Sequence, residues 1–160
     1  MHNYSSIKWF CFSNEDEDVD IALCDMLHFI SSAFELLRRN LANSLFEEIS
    51  VTITREINKM FLEDVIAKNT FNNEGAKRVA NDVNKSFLSM LRIFIDNPES
   101  HCVELLEACK LLSLEKGTSI LLQEALKFDN DKAVEETLNE LSIKVLPVEM
   151  AACVLRNKII

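Results

Sequence analysis

The sequence predicts an all-α fold, an antiparallel bundle of about seven helices. Three observations carry that prediction. Apolar residues recur at three- and four-residue spacing through most of the 160 residues. Two glycines and two prolines are too few for the closely spaced turns of an all-β fold. A composition of 48% apolar and 27% charged residues suits one domain with a dense core and a wet surface.

We divide the chain into an N-terminal segment, 1–18, and a helical bundle, 19–160. Within the first, Tyr4 to Phe12 is rich in aromatic residues and reads as a short extended piece or the tail of an element. From there the positions Val19, Leu23, Met26, Ile30, Leu37 and Leu41 follow helical spacing, with Leu27 and Phe34 beside them. The acidic run Asn14 to Asp20 falls at the amino end of this helix, where unpaired N–H groups and the helix dipole favour carboxylates. Leu45, Phe46, Ile49, Ile53, Ile57, Met60, Phe61 and Val65 predict a second long helix. Inside it, Ile49 to Thr54 alternates apolar and polar residues as a strand would. No turn residue bounds that stretch, and Glu47, Glu48, Arg55 and Glu56 flank it in helical register, so it is read as helix.

Asn72-Asn73-Glu74-Gly75 is a cluster of turn formers from which a third helix starts. Ala76, Ala80, Val83, Phe87, Met90 and Phe94 make its stripe, the most regular in the chain. It is expected to end at Asn97-Pro98, because the residue before a proline is pushed out of the helical region. Asn97 would then cap the next helix, with Pro98 in its first position. That fourth helix is lined by Cys102, Leu105, Leu106, Cys109 and Leu112, and ends in a turn from Ser113 to Gly117. Ile120, Leu121, Leu122, Ala125 and Leu126 line a fifth. The polar stretch Asp129-Asn130-Asp131 precedes a sixth, with Val134, Leu138 and Leu141. Pro147 opens the last, which carries Val148, Ala152, Leu155 and Ile159 on one side.

Charge narrows the function. Seventeen basic against 26 acidic residues give a net charge of −9, which repels phosphate backbones and anionic lipid. The densest basic clusters, Arg38-Arg39 and Lys77-Arg78, are too small for a nucleic-acid footprint. Five cysteines without a CxxC read as reduced, mostly buried small hydrophobes of a cytoplasmic protein. No apolar run reaches the length of a membrane span.

Chemistry is sparse. The chain has no Glu-x-x-His pair for a carboxylate-bridged metal site, and Asp25 with His28, one turn apart, reads as a solvated helix edge. Asp16 to Asp20 imitates the start of a calcium loop, but Ile21 stands where the sharp turn needs glycine and Leu27 where a bidentate glutamate belongs. His101 and Cys102 are neighbours on a helix and point about 100° apart, so they do not form a nucleophile and base. Cys102 and Cys109 share one face at core spacing. Neither GxSxG nor GxGxxG occurs. These features predict no enzyme, no cofactor and no metal, and leave a surface that binds other proteins.

One ordered set of residues says more. Phe71-Asn72-Asn73-Glu74-Gly75-Ala76 is followed by Asp82-Val83, Phe87, Asn97-Pro98-Glu99, Glu107-Ala108-Cys109, Leu112, Leu114, Gly117 and Leu121-Leu122. In order and separation this pattern resembles the carboxy-terminal part of the RINT and TIP family of vesicle-tethering subunits, over about 55 residues. A weaker match runs from Leu45-Phe46 to Ile66 and through Leu138-Asn139-Glu140 and Leu146-Pro147-Val148-Glu149, and the first 18 residues stand outside it. At Leu146 the family more often has a hydroxyl residue able to cap the last helix.

The resemblance implies the C-terminal bundle of a rod-like, CATCHR-type tether, like those of the exocyst, COG and Dsl complexes. It implies a non-enzymatic interaction module in Golgi-to-ER retrograde transport, whose partners are other tethering-complex subunits and ER SNARE proteins. Its expected place is cytoplasmic, peripheral on the endoplasmic reticulum membrane. The matching positions Phe71, Gly75, Ala76, Phe87, Glu107, Ala108, Cys109, Leu112, Gly117, Leu121 and Leu122 are expected to be mainly structural. Family chains are far longer, so this sequence resembles an isolated carboxy-terminal region. Two other readings stand beside it: an adaptor in a DNA-damage checkpoint, after the repair-protein contact for which the animal family was also named, and a helical-bundle metalloenzyme resting on Asp25, His28 and scattered cysteines.

Overall fold

A computed structural model of the chain describes residues 2–13, 17–127 and 131–159. A single helical turn, α1 (His2–Ser5), and a 3-10 turn at Trp9–Cys11 lead into the long α2 (Glu17–Asn40). α3 (Asn43–Met60) continues without a break through a π-helical stretch at Phe61–Ile66. α4 (Asn73–Asn81) likewise runs through a π stretch, Asp82–Phe87, into α5 (Leu88–Leu91). After a 3-10 turn at Pro98–His101 come α6 (Val103–Leu112), α7 (Lys116–Lys127), α8 (Asp131–Glu140) and α9 (Val148–Asn157). With the π-joined pieces taken together, the described residues form seven helical segments besides α1, matching the periodicity. No sheet occurs among them; one isolated parallel bridge pairs Phe71 with Lys158.

The ambiguous stretch from Ile49 to Thr54 is helical. Ser50 and Thr54, one turn apart, are fully buried, and both hydroxyls lack a hydrogen-bond partner. α3 packs there against the Pro98–His101 turn and α6, an approach that small side chains permit. The π stretches widen the buried face beyond a single stripe. Phe61, Leu62, Val65 and Ile66 are all buried, as are Asp82, Val83 and Phe87, because each stretch is enclosed by neighbours on more than one side.

The core is built around aromatic rings. Tyr4 meets Trp9 and Phe61 edge-on, with centroids 5.2 and 6.0 Å apart, and Phe61 tilts against Phe87 at 5.1 Å. Trp9 also contacts Phe12 and Phe71. The segment from Tyr4 to Phe12 is therefore not an extended piece; it carries helical turns, and Tyr4, Trp9 and Phe12 are buried in the same core as the helices while Phe10 is exposed. The Tyr4 hydroxyl donates to the buried Asp82 carboxylate at 2.8 Å, which also receives Arg78 Nε at 2.8 Å. Burial first, then the Asp82 charge, pushes the Tyr4 phenol well above its ordinary value.

Asn72 seats that segment on α4. Its Oδ1 caps the helix by accepting the Gly75 N–H at 2.7 Å, its Nδ2 donates to Phe12 O at 2.9 Å, and its own N–H donates to Trp9 O at 3.2 Å. Gly75 is buried beneath the Trp9 carbonyl, which any added Cβ would strike. Farther along, the Glu107 carboxylate on α6 accepts the N–H groups of Lys144 and Val145 at 2.9 Å and of Leu146 at 2.7 Å. Those bonds fix the connector between α8 and α9, in which Ser142 has a positive φ of 57°. Buried Lys158 donates to the Leu114 carbonyl and to Ser119 Oγ; burial, with Lys77 nearby, lowers its pKa.

Several expectations are corrected. The third helix ends at Leu91, with turns rather than helix to Asn97. Asn97 is left-handed, with φ 50°, and its side chain caps nothing; Pro98 opens the 3-10 turn, and α6 starts at Val103. Its cap comes from afar, since Asn58 Oδ1 on α3 accepts the Leu105 N–H at 3.1 Å. Gly117 lies inside α7 rather than in the turn before it. Ile120 and Leu121 point to solvent, and α9 buries Ala151, Val154 and Leu155 while Ile159 is exposed. Two of the five cysteines, Cys102 and Cys109, are buried, whereas Cys11 and Cys24 are exposed and Cys153 is half-buried. The acidic run of Asn14 to Asp20, Asp16 included, and the polar stretch Asp129-Asn130-Asp131 lie outside the described residues or their described side chains.

The two glycines should respond oppositely to alanine. Gly75→Ala forces the Trp9 backbone away and should cost about 1–3 kcal/mol, whereas Gly117→Ala, on an exposed turn of α7 with open space around it, should stabilise by about 0.5–1 kcal/mol; urea midpoints of the two variants decide. Glu107→Ala strips the acceptor from three N–H groups and should cost about 2–3 kcal/mol in the same assay, with Glu107→Gln costing less.

Stability should also fall in alkali. Burial pushes the Cys102 and Cys109 thiols from their ordinary 9.0 up to about 12, with Glu99 adding to the effect at Cys102. A raised folded pKa means that their contribution is complete below the unfolded value and lost as pH climbs from there toward 12, by about 1.4 kcal/mol per pH unit for each thiol. Lys158, with its pKa lowered, opposes this in part by favouring the folded state as pH rises toward the ordinary lysine value. Urea unfolding at about pH 7.5 and about pH 10 should show the loss, and a Cys102→Ala/Cys109→Ala chain should show less of it.

Candidate functional site

The residues singled out by their sequence pattern do not gather into a surface site. Phe71, Ala76, Phe87, Ala108, Cys109, Leu112 and Leu122 are core residues at most 1% exposed. Gly75 and Glu107 hold connections in place, as described above, while Gly117 and Leu121 face solvent on α7. Cys109 and Cys102 hold their protons because of burial, so neither is a poised nucleophile. Asp25 and His28 stand exposed on the edge of α2. No group of three or more metal-ligating side chains occurs among the described residues, and no described helix is long and apolar enough to cross a membrane.

A different place has the makings of a binding site. α2 and α3 form a hairpin across the turn at Leu41-Ala42, and between them lies a groove of about 210 Å³. Met26, Phe29, Ile30, Ala33, Phe34 and Leu37 of α2 form one wall. Ile53, Ile57 and Met60 of α3 form the other. Its floor is anchored: Ile30 and Phe34 are buried, and Phe34 stacks on Phe94 with centroids 5.2 Å apart. Its lip is not, since Phe29 is 74% and Met60 41% exposed. Leu36 on the same side of α2 is 65% exposed. Such a concentration of apolar area on two adjacent helices is what interaction surfaces and ligand grooves present.

The stripe of α2 located its buried face but not this groove. Phe29, Ala33 and Leu36 fall off that stripe, and the only signal in the sequence was that a helix face expected to be wet carries large apolar residues at i and i+7. Chemically the groove offers contact area without a nucleophile, acid or base, and is suited to recognising apolar side chains.

Comparison with known proteins agrees with the pattern found in the sequence. The sequence model of the RINT-1/TIP-1 family matches residues 1–158, so the family extends through the N-terminal segment 1–18 as well as the bundle. A RINT1-like protein of Drosophila melanogaster is 26% identical over 131 residues, which cover 81% of this chain but 18% of that protein. The chain thus spans about 18% of the length of this curated relative. No solved structure matches it. On a match that runs over nearly its whole length, the chain belongs to the RINT-1/TIP-1 family.

Proposed function

We propose that the chain is a protein-docking module of a vesicle-tethering-complex subunit, acting in Golgi-to-ER retrograde transport by engaging ER SNARE proteins. It works in the cytoplasm, peripheral to the endoplasmic reticulum membrane, and reaches that membrane through its partners. The observation that carries this reading is the apolar groove between α2 and α3 in a chain of this family. A tether has to hold position without performing a reaction, and a helical stack with internal backbone hydrogen bonds and a dense core is stiff enough for that. SNARE cytoplasmic segments are rich in amphipathic helix, a ligand that apolar grooves accept.

The test is capture of recombinant ER SNARE cytoplasmic segments by the purified chain. Binding should be weakened by about tenfold or more in Phe29→Glu, which places a charge on the lip of the groove and leaves the core untouched. Failure to retain any ER SNARE segment, with circular dichroism showing a folded chain, would overturn the proposal.

A further inference from the structure

The charges around the groove are unevenly placed. Asp25 stands one turn before Phe29 on α2, Glu56 stands one turn from both Ile53 and Met60 on α3, and Glu63 follows Met60 by about a turn. All three are exposed. Among the described residues no ion pair engages Asp25 or Glu56; Glu63 reaches Lys59 at 3.9 Å, a pair exposed at both ends and largely screened by water. The hairpin brings Met26 and Met60 to one end of the groove, so the three carboxylates belong to that end. Toward the Leu41-Ala42 turn the charges are Arg38 and Arg39, both already paired with Glu35 at 2.8 and 3.6 Å. Arg38 is further held over the Phe94 ring, 5.3 Å from its centroid. One end of the groove is acidic, and the other carries two arginines that share one carboxylate.

We infer that the groove seats an amphipathic helix of another protein, with its apolar stripe facing inward and a cluster of Lys or Arg at the end that lies over Asp25, Glu56 and Glu63. From Met26 to Leu37 the wall spans roughly 16 Å at 1.5 Å per residue, so the occupant needs about three turns. A second copy of this chain is a poor occupant, because a surface with net charge −9 would bring more carboxylates against the acidic end. An anionic lipid surface is disfavoured for the same reason. This inference rests on reading the hairpin as a docking surface, and adds the chemistry and the polarity of what docks.

The probe is a fluorescein-labelled synthetic helix of about four turns, with leucines at i, i+3, i+4 and i+7 and three lysines at one end, compared with a twin carrying glutamates in their place. In anisotropy titrations at low salt the lysine peptide should bind about tenfold or more tightly than its twin, and the preference should shrink as salt rises. A Glu56→Lys/Glu63→Lys chain should reverse the preference, Phe29→Glu should abolish binding of the lysine peptide, and the Met60 methyl NMR signal should shift on binding to the unaltered chain. Equal affinity for the twins, binding indifferent to Phe29→Glu, or a dimer in sedimentation equilibrium that Phe29→Glu dissolves would each overturn the inference. If SNARE capture survives in Phe29→Glu while the unaltered chain ignores the lysine peptide, this inference falls and docking stands on another face. If the peptide binds as described and no SNARE segment is captured, the inference stands and the SNARE reading falls.

Discussion

The connector between α3 and α4 sets the terms for the rest of the molecule. Phe71 within it is fully buried, and a buried backbone has to find partners for its N–H and C=O groups. They come from both ends of the chain. The Phe71 N–H donates to Asn157 O at 2.7 Å and its carbonyl accepts the Ile159 N–H at 2.8 Å, while the Asn72 N–H donates to Trp9 O. Asn157 Nδ2 closes the junction from below by donating to the carbonyls of Ile66 and Ala67 at 3.0 and 2.8 Å. A six-residue joint thereby ties the aromatic N-terminal segment, the middle helices and the C-terminal helix into one unit.

Two more long-range polar contacts extend that unit. Asn58 gives α6 the cap that its own preceding residue, Cys102, does not supply, and adds a bond to Glu104 at 3.2 Å. Glu107 then carries the far side of α6 to the approach of α9. Asn58 thus satisfies an N–H in the first turn of α6, and Glu107 satisfies three in a connector that has no ladder of its own, which makes that short loop rigid. The α2 and α3 hairpin lies against this framework through Leu23, Met26, Ile30 and Phe34, and the side turned away from the framework is where the groove opens.

Such a division of labour suits a scaffold. The buried charged groups hold helices together: Asp82 binds Tyr4 and Arg78, Lys158 binds Leu114 and Ser119, and Glu107 binds three N–H groups. The two cysteines in the core are protonated small hydrophobes. What the α2 and α3 hairpin presents outward is apolar contact area with an acidic margin.

The sequence by itself determined the helices and most of their buried faces. Local propensity and three- and four-residue spacing act within a single element, so Ala76, Val83 and Phe87 could be placed in the core, and the helical reading of Ile49 to Thr54 followed from the absence of turn residues around it. Only the tertiary structure decided what depends on residues far apart in the chain: that Tyr4 and Trp9 belong to the core, that Asn58 and not Asn97 caps α6, that Gly75 is needed because a carbonyl from residue 9 lies over it. It also decided which apolar residues stay uncovered. Phe29 and Leu121 are as hydrophobic as their buried neighbours, and nothing local distinguishes them; exposure is settled by whether another helix happens to pack over that face.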